Sequence, residues 1–490
     1  MNNLTENKPK CLISLNGTTI LQTISIAFPK PIVIIIGDYK IDVIDRYLEL
    51  VEPEFEYHVV KANGIGTNAG IREALSYIPN TESFAISWSD LFYRTPVSIP
   101  TRAVNYVGVT NSNMCRYSFE NGKFIEGNTL KNGVIGLFLF RNKEVLLDAP
   151  DNGEFVKYLD NADIKFEPLT LDSVYEIGTM DSYLKFKSQF PVSRYFNDVH
   201  IGEKVVIKNA RDPKFVSLLE DEINWYRYMG SKGFAAIPKI NNYKPLTLER
   251  INGMHPHKIM NLSHNEKIGL ITKIIQKLDE MHSLERQSVN REDLYKVYVN
   301  KTLERIKPVS KMLNLHSGKK YVVNGKKVEV LTPSESAVIK GMFNELSYVH
   351  YFSPIHGDPT FSNILVTKGK EIKFIDPRGY FGDSKIYGDP RYDFAKLYYS
   401  AVGNYDQFNE QNFKFKLQFD EVTIRISSST YENVLPDLDF YSVNIKDIEI
   451  LHSLIWLSLS GYLINDLDSM MASYFHGLEL VAEVTEKYGI

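Results

Sequence analysis

The chain has 490 residues, 43% hydrophobic and 24% charged, with 29 Gly and 21 Pro; this excludes disordered and fibrous architectures and implies two to four domains of roughly 100–200 residues each. Lys and Arg number 56 against 60 Asp and Glu, a formal net charge of −4, so there is no general cationic field for nucleic acid or anionic lipid. Cys11 and Cys115 are too few for a disulfide framework, and no apolar run reaches the ~18–20 residues of a membrane span, so the expected setting is reducing and cytoplasmic.

From residue 31 to about 180, short β-rich runs alternate with helical stretches. The run Ile32 to Ile36 is bounded by Pro31 and Gly37, and Asp38 to Leu50 carries apolar residues at helical spacing. A strand at Glu56 to Lys61, a glycine-rich turn at 63–70, a helix from Ile71 to Ile78 and a strand at Ser83 to Trp88 follow. That order predicts a parallel α/β sheet, with further strands at Val104 to Val109 and Val134 to Phe140. The unit closes near Lys185 to Phe190.

After residue 191 the pattern changes. Lys204 to Lys208 reads as a strand, Pro213 to Met229 as a helix and Leu246 to Ile251 as another strand. Helices are predicted over Asn265 to Met281, Glu292 to Met312, Ser334 to Val349 and Ile448 to Tyr488, around a loop-and-strand region from Pro354 to Asp393. The expected layout is therefore a first domain over 1–190, a small sheet-bearing lobe over 191–255 and a helical large lobe over 256–490.

The strongest chemical signal is Ile355 to Leu365, IHGDPTFSNIL, followed by Ile372 to Asp376, IKFID. Asp358, Asn363 five residues on and Asp376 eighteen residues after Asp358 fall on a loop and the two strands it feeds. Phosphoryl transfer from a nucleotide needs a carboxylate for the acceptor hydroxyl and oxygen ligands for magnesium on the phosphates. These three residues supply them.

This stretch resembles the catalytic core of the aminoglycoside phosphotransferase and choline kinase family, a branch of the protein-kinase-like fold with an α+β bilobal architecture. The resemblance implies ATP and Mg²⁺ as cofactors, Asp358 as catalytic base, Asn363 and Asp376 as magnesium ligands and His356 as a brace. Asp393, in the matching segment YGDPRYDFAKL, would orient the loop. Lys208 is placed like the family's phosphate-binding lysine, with Glu222 as its partner and Glu220 and Asp221 as adjacent alternatives. Ser193 and Asn197 lie where the nucleotide-covering loop belongs, and Glu249 lies where the lobes are linked. The glycine-rich loop and the D-F-G and A-P-E landmarks of protein kinases are absent, so the expected acceptor is a small hydroxyl compound: a sugar, polyol or amino alcohol. A cationic acceptor would want acidic or aromatic walls, which Trp456, Tyr462, Asp466, Asp468 and Tyr474 offer; Trp456, Leu459 and Leu463 also read as core at helical spacing.

The N-terminal part resembles the sugar-nucleotide pyrophosphorylases and related nucleotidyltransferases, with a Rossmann-like parallel sheet. The matching residues are Asn7 to Leu12, the turn Gly66 to Gly70, Trp88-Ser89-Asp90 and Tyr175 to Thr179. By that resemblance Lys10 contacts phosphate, Gly66 and Thr67 lie against the base of CTP or another nucleoside triphosphate, and Asp90 and Glu176 hold magnesium. Two departures stand out. Glu176 replaces the family's aspartate, and the strand and phosphate loop that open the family precede the segment matching this N-terminus, which leaves open a start upstream of Met1 or a domain kept as a scaffold. Together the two parts predict a kinase and nucleotidyltransferase making nucleotide-activated precursors for capsule or other surface polysaccharide. The alternative is a non-catalytic nucleotide-binding scaffold or regulator.

Overall fold

The computed structural model describes residues 2–171, 173–190, 197–334, 336–434 and 443–490. The chain divides into two compact units, Met1–Val192 with Asn465–Leu467, and Ser193–Ile464 with Asp468–Ile490. No described helix is long and apolar enough to cross a membrane.

In the first unit, Ile32–Gly37 and Glu56–Lys61 pair in parallel and are joined by the helix Ile41–Val51. That helix buries Val43, Ile44, Tyr47 and Leu48, the i, i+1, i+4, i+5 stripe of an amphipathic surface helix. A separate six-stranded sheet runs in the order Phe166–Thr170, Asn105–Thr110, Gly133–Phe140, Cys115–Glu120, Lys123–Thr129, with Phe84–Ser87 also on Gly133–Phe140. Within it only the pairing of Phe166–Thr170 with Asn105–Thr110 is parallel.

The expected single parallel sheet is thus replaced by a mixed one. The reason is local: Asn121 and Gly122 both take positive φ, 51° and 81°, the two-residue turn that closes an antiparallel hairpin, and a strand returning through so short a loop cannot be parallel. Gly133–Phe140 is buried along its whole length because both faces are packed. Val134, Phe138 and Phe140 enter one apolar cluster while Ile135, Leu137 and Leu139 enter another, as strand alternation requires. Cys11 and Cys115 are free and buried, and burial pushes both thiols up to about 12.

In the second unit, an antiparallel sheet orders Asn197–Ile201, Val205–Ala210, Leu246–Glu249 and Ile240–Tyr243. The helix Val216–Ser231 follows a 3-10 turn at Pro213–Phe215, so the predicted helix starts three residues late. A second sheet joins Gly253–Met254, Ile364–Thr367 and Ile372–Phe374. The expected helix over 292–312 is three pieces: Arg291–Tyr295, a π-helical turn Lys296–Asn300, and Lys301–Met312. The expected helix over 448–488 is also broken, into Ile445–Leu459 and Leu467–Tyr488, by a 3-10 turn at Ser460–Tyr462.

A four-stranded sheet of two hairpins, Lys320–Val323 with Lys326–Glu329 and Phe413–Gln418 with Glu421–Ile426, has no counterpart in the sequence reading. The Asn324-Gly325 pair, at φ 49° and 87°, is the signal that would have found the first hairpin.

Trp456 and Tyr474 are fully buried. Trp456 packs on Tyr399, Phe408 and His476 at ring centroid distances of 4.9, 5.1 and 4.7 Å and donates to His452 Nε2 at 3.0 Å. Both side chains are core, which removes them from any acceptor site. Trp456→Ala is expected to cost about 3–5 kcal/mol of stability, read as a lower thermal midpoint of the second unit. Phe419→Ser, at the 90% exposed tip of a hairpin, is expected to leave that midpoint unchanged.

Candidate active site

Lys208 lies within the strand Val205–Ala210, which runs two residues past the expected end, at 3% exposure, and an ammonium removed from water needs charged partners. It has two. Its Nζ lies 2.5 Å from Glu222 Oε1 and forms an ion pair with Asp376. Glu222 sits on the buried face of Val216–Ser231 with Ile223, Trp225, Tyr226 and Met229, whereas Asp221 pairs with Lys385 at 3.2 Å and Glu220 with Lys244 at 3.6 Å. Asp376 takes φ 56°, a left-handed backbone that is costly for a side chain other than glycine. The same helix reaches the loop a second time, through Trp225 Nε1 donating to Ile355 O at 2.7 Å.

The loop that carries Asp358 hangs from Asp393. The backbone N–H groups of His356 and Gly357 donate to its two carboxylate oxygens at 2.8 and 2.7 Å, and His282 Nε2 lies 3.0 Å from Oδ2. His356 is fully buried; Asp358 N donates to its Nδ1 at 3.2 Å and its Nε2 faces Ile375 O at 3.0 Å. The first contact makes Nδ1 an acceptor and the second makes Nε2 the protonated nitrogen, and burial pulls the imidazole below its ordinary value, so the ring is neutral. Asn363 Nδ2 donates to Asp358 O at 2.9 Å and to Asp358 Oδ2 at 3.2 Å. Its carboxamide oxygen takes no part in these two hydrogen bonds. Gly357 takes φ 80°, and a Cβ there would stand 2.9 Å from Arg378 Cβ.

Several residues outside the sequence reading complete this region. Lys396, one turn along the helix from Asp393, pairs with Asp358 Oδ1 at 2.9 Å. Burial raises the Asp358 carboxyl, but Lys396 and Arg378 outweigh it and hold the group down to about 2. Asp406 accepts from Ser362 N at 2.8 Å and from its hydroxyl, a second anchor for the loop. The lysine in YDFAKL sits three residues from Asp393, so helical spacing alone places it on the same face.

Other predicted positions lie elsewhere. Ser193 falls outside the described residues. Asn197 begins the first strand of the antiparallel sheet. Glu249 is exposed, and its carboxylate accepts from Lys239 N at 3.3 Å.

In the first unit, Lys10 Nζ donates to Asp90 Oδ2 at 3.1 Å. Glu176 reaches the same place because Val174–Glu176 pairs antiparallel with Leu91–Tyr93 and Ile177 N donates to Asp90 O at 2.7 Å. A Cβ on Gly178 would stand 2.8 Å from Glu176 Oε1 and 3.4 Å from Asp90 Oδ2, so the glycine keeps open the space over the two carboxylates. Asp90 Oδ1 is buried without a hydrogen-bond partner among the described residues. Burial, then the Asp90 charge, pushes the Glu176 carboxyl up to about 7, against Lys10. Gly66 and Thr67 are engaged differently: a Cβ on Gly66 would stand 2.4 Å from Gly153 O, and Thr67 Oγ1 accepts from Phe155 N at 2.8 Å. The turn is latched to the 151–155 loop.

Among the described residues no cluster of three or more His, Cys, Asp or Glu could hold an ion by itself. The oxygen donors Asp376 and Asn363, and separately Asp90 and Glu176, fit magnesium in its usual protein setting, where one or two carboxylates share the ion with substrate phosphates.

No protein-family model matches the chain, and no curated protein matches it. Solved structures of both kinds named from the residues are among its structural neighbours. HddC from Yersinia pseudotuberculosis is 16% identical, with 38% of this chain and 93% of that one covered, at a TM-score of 0.33. A choline/ethanolamine kinase family protein from Mesorhizobium loti is 13% identical, covering 64% and 96%, at 0.37. The GDP complex of aminoglycoside 2'-phosphotransferase-IIIa is 13% identical, covering 63% and 99%, at 0.36.

Two pH effects follow from these environments. Lys396→Gln removes the leading cation beside Asp358, so its proton is taken up at higher pH, and the acid limb of the rate profile is expected to move upward. In the first unit the Glu176 carboxyl is raised above its ordinary 4.5, so the folded state holds a proton that the unfolded chain releases, and stability falls as pH rises from about 4.5 to 7. Glu176→Gln is expected to flatten that slope in thermal unfolding of the first unit followed across pH.

Proposed function

We propose that the second unit transfers the γ-phosphoryl group of ATP to a hydroxyl of a small molecule. The observation that carries this reading is the convergence of Lys208, Glu222 and Asp376 with the Asp393-braced loop bearing Asp358 and Asn363. Lys208, freed in part from Asp376, reaches nucleotide phosphate oxygens while Glu222 keeps its ammonium in place. Asp358 orients the acceptor hydroxyl and takes its proton as the new O–P bond forms and the bond from Pγ to the β-bridging oxygen breaks, giving ADP and a phosphomonoester. Asn363 and Asp376 would hold Mg²⁺, which when bound offsets the charge that builds on the phosphates.

For the first unit we propose nucleoside triphosphate binding, with CTP as the first candidate, at Lys10, Asp90 and Glu176. The buried Asp90 oxygen and the space kept by Gly178 support a cation shared with triphosphate oxygens. A phosphomonoester made by the second unit and coupled to a nucleoside monophosphate by the first would give a nucleotide-activated building block. The place in surface-polysaccharide synthesis rests on the presence of both units in one chain.

Asp358→Asn is expected to lower acceptor-dependent ADP release by at least about 100-fold while calorimetry shows ATP binding retained. Turnover near the wild-type rate would remove Asp358 from this role.

A further inference from the structure

Beside Asp358 lies a concentration of positive charge that the phosphotransfer reading does not use. Lys301 Nζ and Arg378 Nη1 donate to the phenol oxygen of the buried Tyr392 at 3.2 and 3.1 Å. Arg305, one helical turn after Lys301, stacks on Tyr462 with its guanidinium carbon 3.4 Å from the ring centroid, and donates to Gly461 O at 3.2 Å. Lys396 completes the group through Asp358. Among the described residues, none of Lys301, Arg305 and Arg378 has an ion-pair partner.

The local fold is arranged for this cluster. The π-helical turn at Lys296–Asn300 ends directly at Lys301, and such turns recur at functional sites. The 3-10 break at Ser460–Tyr462 brings Gly461 so close that a Cβ on it would stand 2.6 Å from Arg305. A cavity of about 520 Å³ is lined by Lys301, Glu304, Arg305 and Gly461 among others, and Glu304 is paired to Lys307 at 2.6 Å. Burial pushes the Tyr392 phenol up, but Lys301, Arg378 and Lys396 outweigh it and bring it down to about 7. Burial likewise raises Tyr462, yet Arg378, Lys301 and Arg305 hold it below its ordinary value. Lys301 itself is lowered, first by burial and then by the neighbouring cations Arg378 and Lys396. Like charges held together in a partly desolvated site repel one another at a cost that an incoming anion removes.

We propose that the acceptor of the second unit is an anionic hydroxyl compound, whose phosphate or carboxylate group is bound by Lys301, Arg305 and Arg378 while its hydroxyl faces Asp358. This rests on the phosphotransfer proposed above and narrows its substrate class away from choline and aminoglycosides, whose cationic groups the cluster repels. The reaction forms the acceptor O–P bond and breaks the bond from Pγ to the β-bridging oxygen. The hydroxyl proton goes to Asp358, and the product carries a second anionic group beside the one that was bound.

The test pairs turnover with binding on the full-length protein. ADP release with ATP and Mg²⁺ is measured for glycerol 3-phosphate, ribitol 5-phosphate and glucose 6-phosphate, for glycerate and glucuronate, and for glycerol, ribitol, glucose, choline and kanamycin. The same anions are titrated by calorimetry without ATP. The expected result is turnover and binding of at least one anionic compound, with the phosphate and carboxylate arms naming the group. Lys301→Gln and Arg305→Gln are each expected to raise its KM and Kd by about 10- to 100-fold and to leave the KM for ATP within threefold, with Lys301→Arg restoring most of the loss; thermal unfolding shows that the variants fold.

Turnover of neutral or cationic compounds with the anions inert overturns the anionic class and leaves the kinase standing. Absence of ADP release with every compound, together with anion binding lost in the variants, removes the kinase reading and keeps the anion site. No binding of any anion to the wild type overturns the proposal. So does an equal fall in kcat for all acceptors in Lys301→Gln, which assigns the cluster to the transferred phosphoryl group.

Discussion

A buried ammonium has to be neutralised where it stands, and Lys208 meets that need with two carboxylates drawn from distant parts of the chain, Glu222 on a helix and Asp376 after a strand. Removing one partner from such a group leaves a buried charge exposed to its full desolvation cost, so the antiparallel sheet, the helix and the second sheet are fixed relative to one another by this junction. The left-handed backbone at Asp376 is held there by the same contacts. Because the pair is made of charges, a polyanionic ligand can compete for the ammonium without any of the three elements moving far. Under the phosphotransfer proposed for the second unit, the same junction would serve as the phosphate site.

The second constraint is the carboxylate of Asp393, which receives two backbone N–H groups and faces His282. It turns a glycine-containing loop into a fixed platform, and the neutral His356 ring ties the near end of that platform to Ile375 at the far strand. Asp358 is then presented at the edge of a strongly positive region. The ease with which its carboxyl and the Tyr392 phenol lose their protons has the same origin: Lys396 and Arg378 lie close to both. An anionic acceptor group entering that region would relieve the cations and leave Asp358 freer to engage a hydroxyl.

The first unit shows the opposite electrostatic balance. Two carboxylates face one another over a space kept clear by Gly178, and Lys10, 40% exposed, only partly offsets them. The longer side chain of Glu176 still reaches Asp90, because the short antiparallel pairing with Leu91–Tyr93 sets its backbone directly alongside. Its raised carboxyl is the signature of a pair with too little positive charge between its members.

Much of this was legible in the residues. The spacing of Asp358, Asn363 and Asp376 locates the loop and strands because a loop between paired strands keeps its functional groups at fixed intervals, whereas the choice of Glu222 over Glu220 and Asp221 was settled only by the pairing of all three with different lysines. The Asn-Gly pairs at 121–122 and 324–325 carried hairpin signals as well, and the first of them decides against an all-parallel sheet in the first unit. Other features were beyond sequence. Lys301, Arg305 and Arg378 are ordinary surface-type residues, and nothing local distinguishes them; only folding brings Lys301 and Arg378 onto Tyr392 and Arg305 onto Tyr462, near Lys396, and so gathers their charge. Trp456 read as core at helical spacing as well as a candidate pocket wall, and Tyr474 as a candidate pocket wall, until packing buried both. The sequence by itself determined which chemistry the loop can perform, because that depends on residue type and short spacing. The tertiary structure alone decided the charge around Asp358, because a field is the sum of groups that meet only in space.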